Sequence, residues 1–262
     1  MNLSGRRALV TGSTQGIGRV IAAGLARAGA TTVINGRRPE RVETVLAELR
    51  AADPAAAFEG AAADVATAEG VAALLAALPE VDILVNNLGI FGAVPVLDVD
   101  DELWQRYWDT NVMSGVRLSR AYLPGMRDRG WGRVLFLASD SAVAIPAEMV
   151  HYGVTKTALL AVSRGYAKAM AGTGVTVNSV IAGPTHTEGV EEFARQLVGD
   201  DLPWDEAQHE FMVHHRPNSL IQRLIEPEEI ANMVVYLSSP LAAASTGGAL
   251  RVDGGYVDSI LP

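Results

Sequence analysis

The chain has 262 residues, 49% apolar and 19% charged, enough for one large α/β domain and too apolar for a disordered chain. Its formal net charge of −9 repels phosphate backbones and argues against nucleic acid, and the absence of cysteine excludes disulfides, thiolate metal sites and cysteine nucleophiles. The opening MNLSGRRALVTG lacks a long apolar signal stretch, and no apolar run reaches the roughly 18 residues a bilayer requires, so a cytoplasmic protein with no membrane partner is expected.

Short apolar runs alternate with helical periodicity, the pattern of βαβ units around a parallel sheet. A first strand is predicted over 8–11, then a glycine-rich turn and a helix over 16–28. A strand over 32–35 leads to a helix over 40–51, a weaker strand over 57–63 and an alanine-rich helix after Thr67. The strand over 83–86 is bounded by Asp82 and by the turn Asn86-Asn87-Leu88-Gly89. A long helix over 101–126 begins among acidic residues that suit its positive end. A strand over 134–138, a helix over 149–170 and a strand over 175–180 follow. Residues 184–225 contain Pro184, Pro203 and Pro217 with only short helical patterns, and read as an irregular insertion. A helix over 226–237 and a strand over 249–252 close the chain. With no repeat and no linker, one doubly wound Rossmann-type domain over residues 1–262 is expected, a parallel sheet of about seven strands flanked by helices.

The turn after the first strand reads Thr11-Gly12-Ser13-Thr14-Gln15-Gly16-Ile17-Gly18. Glycines let the backbone turn sharply and approach a pyrophosphate, for which the following helix offers free amide donors. Gly12, Ser13, Gln15, Gly16, Ile17 and Gly18 are therefore candidate dinucleotide contacts. At the end of the second strand the chain reads Asn35-Gly36-Arg37-Arg38, with no carboxylate before Glu40. A carboxylate there would bind the ribose 2′-hydroxyl of NAD, whereas arginine forks suit the 2′-phosphate of NADP. Arg37 and Arg38 thus point to NADP(H) in preference to NAD(H).

Tyr152 and Lys156 lie four residues apart in a predicted helix and so share a face. A neighbouring cation draws a tyrosine pKa down from about 10 toward the working range, as general acid–base catalysis requires. Three histidines, His209, His214 and His215, sit with Asp200, Asp201, Asp205, Glu206 and Glu210 in the insertion, but no metal-ligand spacing is present and no metal is expected. His151 falls on another side of its helix and reads as structural. Asp140 either lines a substrate site, favouring a cationic or polyhydroxylated molecule, or caps a turn.

Taken together these motifs resemble the short-chain dehydrogenase/reductase family over nearly the whole chain, in a pattern similar to its 3-oxoacyl-carrier-protein reductases. The resemblance rests on the T-G-x-x-x-G-x-G turn, Asp64-Val65, Asn86-Asn87-Leu88-Gly89, Asn111, Ser139, Tyr152-x-x-x-Lys156 and Val252-Asp253-Gly254-Gly255. It implies that Asp64 contacts adenine with Val65 beside it, that Asn87 lies by the adenosine ribose, and that Gly89 is a further cofactor-binding residue. Tyr152 and Lys156 would hold the nicotinamide ribose, and Gly183, Thr185 and Thr187 would touch the carboxamide. Asn111, Ser139, Tyr152 and Lys156 would form the catalytic set. Tyr152 would donate the proton, Ser139 would bind the substrate oxygen, and Asn111 would anchor a water leading to Lys156. Departures from the family are Leu88 for a small residue, Ala182-Gly183-Pro184 after the sixth strand, and Gln15 where many NADP enzymes carry a base.

The expected activity is hydride transfer between a nicotinamide and a ketone, sugar or oxoacyl carbonyl. A cyclic-imine reductase and a non-catalytic NADP(H)-sensing regulator are the alternatives. Residues 185–223, with Phe193, Leu197, Trp204, Phe211 and Met212, would form a lid over a partly apolar small molecule. The only plausible basic cluster for an acidic carrier protein is Arg127, Arg129 and Arg133, which favours a free substrate. The resemblance further implies a homo-tetramer or homo-dimer built from the long helices and last strand, with Ile260 and Leu261 contributing.

Overall fold

A computed structural model describes residues 1–199 and 201–260. Its strands are β1 (Arg7–Val10), β2 (Thr31–Gly36), β3 (Phe58–Ala62), β4 (Ile83–Asn86), β5 (Gly132–Ser139), β6 (Val175–Ala182) and β7 (Ala249–Val252). They form one sheet in the order β3-β2-β1-β4-β5-β6-β7, and every neighbouring pair is parallel. Parallel pairs need crossovers, which place helices on both faces. The strand side chains divide accordingly. Ala8, Val10, Ile83, Val85, Leu135 and Leu137 enter one apolar cluster, while Leu9, Leu84, Val134 and Phe136 enter another on the opposite face. This two-residue period over a sheet covered on both sides explains why the strands read as unbroken apolar runs.

The first face is covered by α1 (Gly16–Arg27), α2 (Pro39–Ala52) and α9 (Pro227–Ser238) through Ile21, Leu25, Val45, Leu46, Ile230 and Val234. The second is covered by α3 (Ala68–Ala77), α5 (Ser114–Asp128) and α6 (Val150–Ala169) through Leu74, Leu118 and Leu159.

Two expectations need correction. The long helix over 101–126 is interrupted: α4 (Asp101–Trp108) passes through a π-helical turn, Asp109–Met113, before α5 begins. Asp100 caps α4 by accepting the Leu103 amide at 2.8 Å. The insertion is not irregular either. It holds two helices, α7 (Glu188–Val198) and α8 (Trp204–His215), separated by Gly199 at φ 102°. Pro203 stands at the N-cap of α8 and Pro217 just beyond its end, so these prolines mark helix boundaries and not a broken segment. Phe193, Ala194, Phe211 and Met212 of the two helices pack with Met149 and Leu224 into a third, small apolar cluster.

The basic cluster also dissolves. Arg133 is buried, donates to the carbonyls of Gly132 and Gly174 at 2.8 and 3.2 Å, and lies against Trp131. Arg127 pairs with Asp128 and Arg129 with Glu80. Ile260 is exposed, whereas Asp200 and Leu261 lie outside the described residues. Among the described residues no helix is long and apolar enough to cross a membrane.

Candidate active site

Six strands deliver residues to one cleft of about 660 Å³ at their carboxyl ends. Gly12 and Gly16 follow β1, Arg37 and Arg38 follow β2, Asp64 follows β3, Asn87 and Gly89 follow β4, Ser139 ends β5, and Gly183 follows β6. The cleft straddles β1 and β4, where the chain reverses its direction of winding and adjacent loops splay apart.

The glycine turn is built for close approach. Gly12 and Gly16 adopt φ values of 62° and 54°, which side chains resist. A Cβ on Gly18 would lie 2.8 Å from the Gly12 carbonyl oxygen and collide with the Asn87 amide. That amide donates to the Thr11 carbonyl at 2.8 Å, tying the end of β4 to the turn. Leu88 fills the space where Gly12 lacks a side chain, with its Cα 3.1 Å from the missing Cβ position. Gln15, Ile17, Thr185 and Thr187 also line the cleft.

Ser13 and Val65 do not line it. The Ser13 hydroxyl donates to the Val10 carbonyl at 2.7 Å and accepts the Asn35 amide at 3.0 Å, while its own amide is bonded to the Asn35 carbonyl. Val65 is buried in the second apolar cluster. Among the residues that join the wall unforeseen are Thr14, packed against Gly36, and Arg41, in the first turn of α2. Its place in the first turn of α2, directly after Arg37 and Arg38, was a signal that could have found it. The side chains of Arg37, Arg38 and Arg41 make no ion pair or hydrogen bond among the described residues.

At the other end of the cleft, α6 presents Tyr152 and Lys156 on one face, with the Lys156 Nζ 5.6 Å from the centroid of the tyrosine ring. The ammonium donates to the Leu137 carbonyl at 2.7 Å, and burial lowers its pKa to about 8. Tyr152 corrects the expectation of an acidified phenol. Burial pushes its pKa above the usual value, and the opposing pull of the Ser139 hydrogen bond does not reverse the shift. Lys156 is not among the groups that move it.

Asn111 lies in the π turn and its amide is fully used. Its Oδ1 accepts the Ile90 amide at 2.8 Å, and its Nδ2 donates to the Ile90 carbonyl and the Thr155 hydroxyl, both at 3.0 Å. Thr155 in turn donates to the Tyr152 carbonyl at 2.7 Å. Asn111 is therefore a clamp between the 89–90 loop and α6, buried behind the cleft wall. Asp140 resolves toward both of its readings: it lines the cleft and also organises the turn. Its Oδ1 accepts from the Ser139 hydroxyl at 2.8 Å and from the Ser141 amide at 2.7 Å. Burial raises its pKa, against the pull of Arg216.

The histidines have other partners. His151 is buried edge-on to Tyr107, with ring centroids 4.4 Å apart. His214 lies 3.1 Å from the Glu210 carboxylate, and His215 stacks on Phe211.

A glycine turn at the switch point of a parallel sheet, facing a tyrosine, a lysine and a serine across one cleft, defines a nucleotide-dependent oxidoreductase. The chain belongs to the short-chain dehydrogenase/reductase family: residues 12–257 match the family described as enoyl-(acyl carrier protein) reductase. It is 51% identical to an uncharacterized oxidoreductase, YvaG, of Bacillus subtilis, over 99% of both chains. It is 35% identical to a putative ketoacyl reductase of Streptomyces coelicolor, over 95% of each. Among solved structures it resembles L-sorbose reductase from Gluconobacter frateurii, complexed with NADPH and L-sorbose, with a TM-score of 0.92, 35% identity and 99% of each chain covered.

Proposed function

We propose that the protein is an NADP(H)-dependent carbonyl reductase in which Tyr152 is the general acid. The observation that carries this reading is the layout of the cleft: Ser139, Tyr152 and Lys156 meet at one end and three unpaired guanidinium groups stand at the other. The glycine turn fits a pyrophosphate, because Gly12 and Gly16 hold left-handed φ values and a Cβ at Gly16 would stand in the open cleft, with nothing nearer than the Thr187 methyl at 3.7 Å. Arg37, Arg38 and Arg41 fit a 2′-phosphate, since three unpaired cations beside one another repel until an anion joins them. The NADPH found with the sorbose reductase agrees with that assignment. When bound, the nicotinamide supplies hydride, and the chain supplies position and charge.

As substrate binds, the Ser139 hydroxyl proton turns from Asp140 to the substrate oxygen, Tyr152 delivers its proton, and the Lys156 ammonium steadies the charge that develops. The raised Tyr152 pKa keeps the phenol protonated at neutral pH, the form a proton donor must have. Asn111 acts by holding α6 against the 89–90 loop. Asp64, Asn87, Gly89, Gly183, Thr185 and Thr187 complete the dinucleotide bed. The pair α7–α8 covers the substrate end of the single domain, with Phe193 and Phe211 as its apolar lining. A putative ketoacyl reductase and an L-sorbose reductase among its relatives support ketoacyl compounds and ketoses as candidate substrates.

The test is steady-state reduction of a ketone and ketose panel with NADPH and NADH in parallel. NADPH should be preferred, and Tyr152→Phe should lose on the order of 10²–10⁴-fold in kcat while retaining NADPH binding by fluorescence titration. Equal use of NADH, or an active phenylalanine variant, would overturn the respective assignment.

A further inference from the structure

Arg216 follows the last residue of α8 and its guanidinium lines the substrate end of the cleft. It is held rigidly. The group lies 5.2 Å from the centroid of the Phe211 ring and 5.5 Å from that of Tyr256, and its Nη1 donates to the His215 carbonyl at 2.6 Å. Yet it is not neutralised. Its Nε is buried with no hydrogen-bond partner, and no carboxylate lies within ion-pair distance among the described residues. Its field nevertheless reaches the two reacting-end groups, opposing the burial that raises the pKa of both Asp140 and Tyr152. Asp140, an acid that feels its charge, has committed its Oδ1 to Ser139 and Ser141, and burial favours its neutral form. Glu188 also borders the cleft, but it adjoins Thr187, which packs toward Gly16 at the dinucleotide end.

A pinned, partly desolvated cation on the wall of a binding site is unfavourable unless the ligand brings the counter-charge. We infer that Arg216 holds the carboxylate of the substrate, so that the enzyme interconverts an oxo acid and the corresponding hydroxy acid. This assignment rests on the reductase reading above and narrows it from carbonyl compounds in general to those bearing an anionic group. A guanidinium gives two parallel donors to a carboxylate, a geometry a terminal alcohol cannot match. With Ser139 and Tyr152 fixing the carbonyl oxygen, that second anchor fixes which face of the carbon is presented.

The test uses pairs of substrates that differ only by carboxylate against primary alcohol: 5-keto-D-gluconate with L-sorbose, and acetoacetate with 4-hydroxy-2-butanone. Initial rates with NADPH are compared for the wild type and for Arg216→Gln, Arg216→Lys and, as a control cation on the same cleft, Arg106→Gln. The wild type should favour the acid in at least one pair. Arg216→Gln should lose on the order of 10- to 100-fold in kcat/KM for the acid, mostly through KM, as expected for hydrogen bonds to a charged group. Its rate with the paired alcohol should stay within about threefold, which also shows that the variant is folded. Arg216→Lys should recover part of the loss, and Arg106→Gln should leave the acid-to-alcohol ratio unchanged. Preference for the alcohols in both pairs, turnover of neither pair beside activity on other ketones, or equal losses on acid and alcohol in Arg216→Gln would each overturn the carboxylate assignment. Absence of NADPH-linked reduction of every ketone would instead remove the reductase reading beneath it.

Discussion

Lys156 and Asp140 carry opposite burdens of burial at the same site. An ammonium inside the protein titrates near 8, well below the ordinary lysine value. Reduction that needs this charge should hold steady at neutral pH, and kcat/KM should fall as pH rises through about 8. A flat pH–rate profile up to pH 10 would remove Lys156 from the mechanism. The same shift affects stability. Between about 8 and 10.5 the unfolded chain binds more protons at this residue than the folded one, so stability should rise with pH across that window. Lys156→Met abolishes that slope, and at pH 7 it should gain up to about 3 kcal/mol in urea unfolding while losing activity. At Asp140 the carboxyl dictates where the Ser139 hydroxyl points. Asp140→Ala frees that hydroxyl, and kcat should drop about tenfold with the NADPH affinity unchanged.

At the scale of elements, the π turn earns its place by aiming Asn111. Widening the helix at Asp109–Met113 swings this amide toward Ile90 and Thr155, two segments that must stay in register for Tyr152 to face the cleft. Asn111→Ala removes three hydrogen bonds, two of them to the part-buried Ile90 backbone, and should cost roughly 1–3 kcal/mol of stability by thermal unfolding. The sequence allowed the strands and most helices to be read because both sheet faces are buried, making runs such as Val134 to Ala138 continuously apolar. It concealed the π turn, since Asp109-Thr110-Asn111 is as hydrophilic as any helix surface. It concealed α7 and α8 because each buries only a narrow stripe, Phe193 and Ala194 or Phe211 and Met212, between acidic residues. Spacing was enough to bring Ser139, Tyr152 and Lys156 together. Ser13 and Val65 stand off the cleft wall because a motif records neighbours in sequence and not the direction of a side chain. Arg216 was invisible for the converse reason: only the fold carries the end of α8 back over the strand tops. Phe211→Ala should loosen this cover, raising KM for substrate several-fold with little change in KM for NADPH.

Across the whole molecule, β7 ends the sheet with one edge unpaired among the described residues, and its four residues are only partly covered. Tyr236, Leu241 and Ile260 are also exposed toward the chain's end. Open edges and apolar side chains of this kind favour self-association. A homo-tetramer or homo-dimer is the expected result of light scattering, and a monomer at micromolar concentration would refute it. Behind that edge, the turn after β7 grips the segment that follows Arg216. Leu220 and Ile221 both donate to the Gly254 carbonyl, and Gly254 and Gly255 leave no room for side chains beneath them. The outermost rim of the sheet and the seat of the substrate are thereby fastened to each other. A neighbour docking on that rim would stiffen the floor on which recognition happens, which gives quaternary structure a say in selectivity without a single residue crossing between copies.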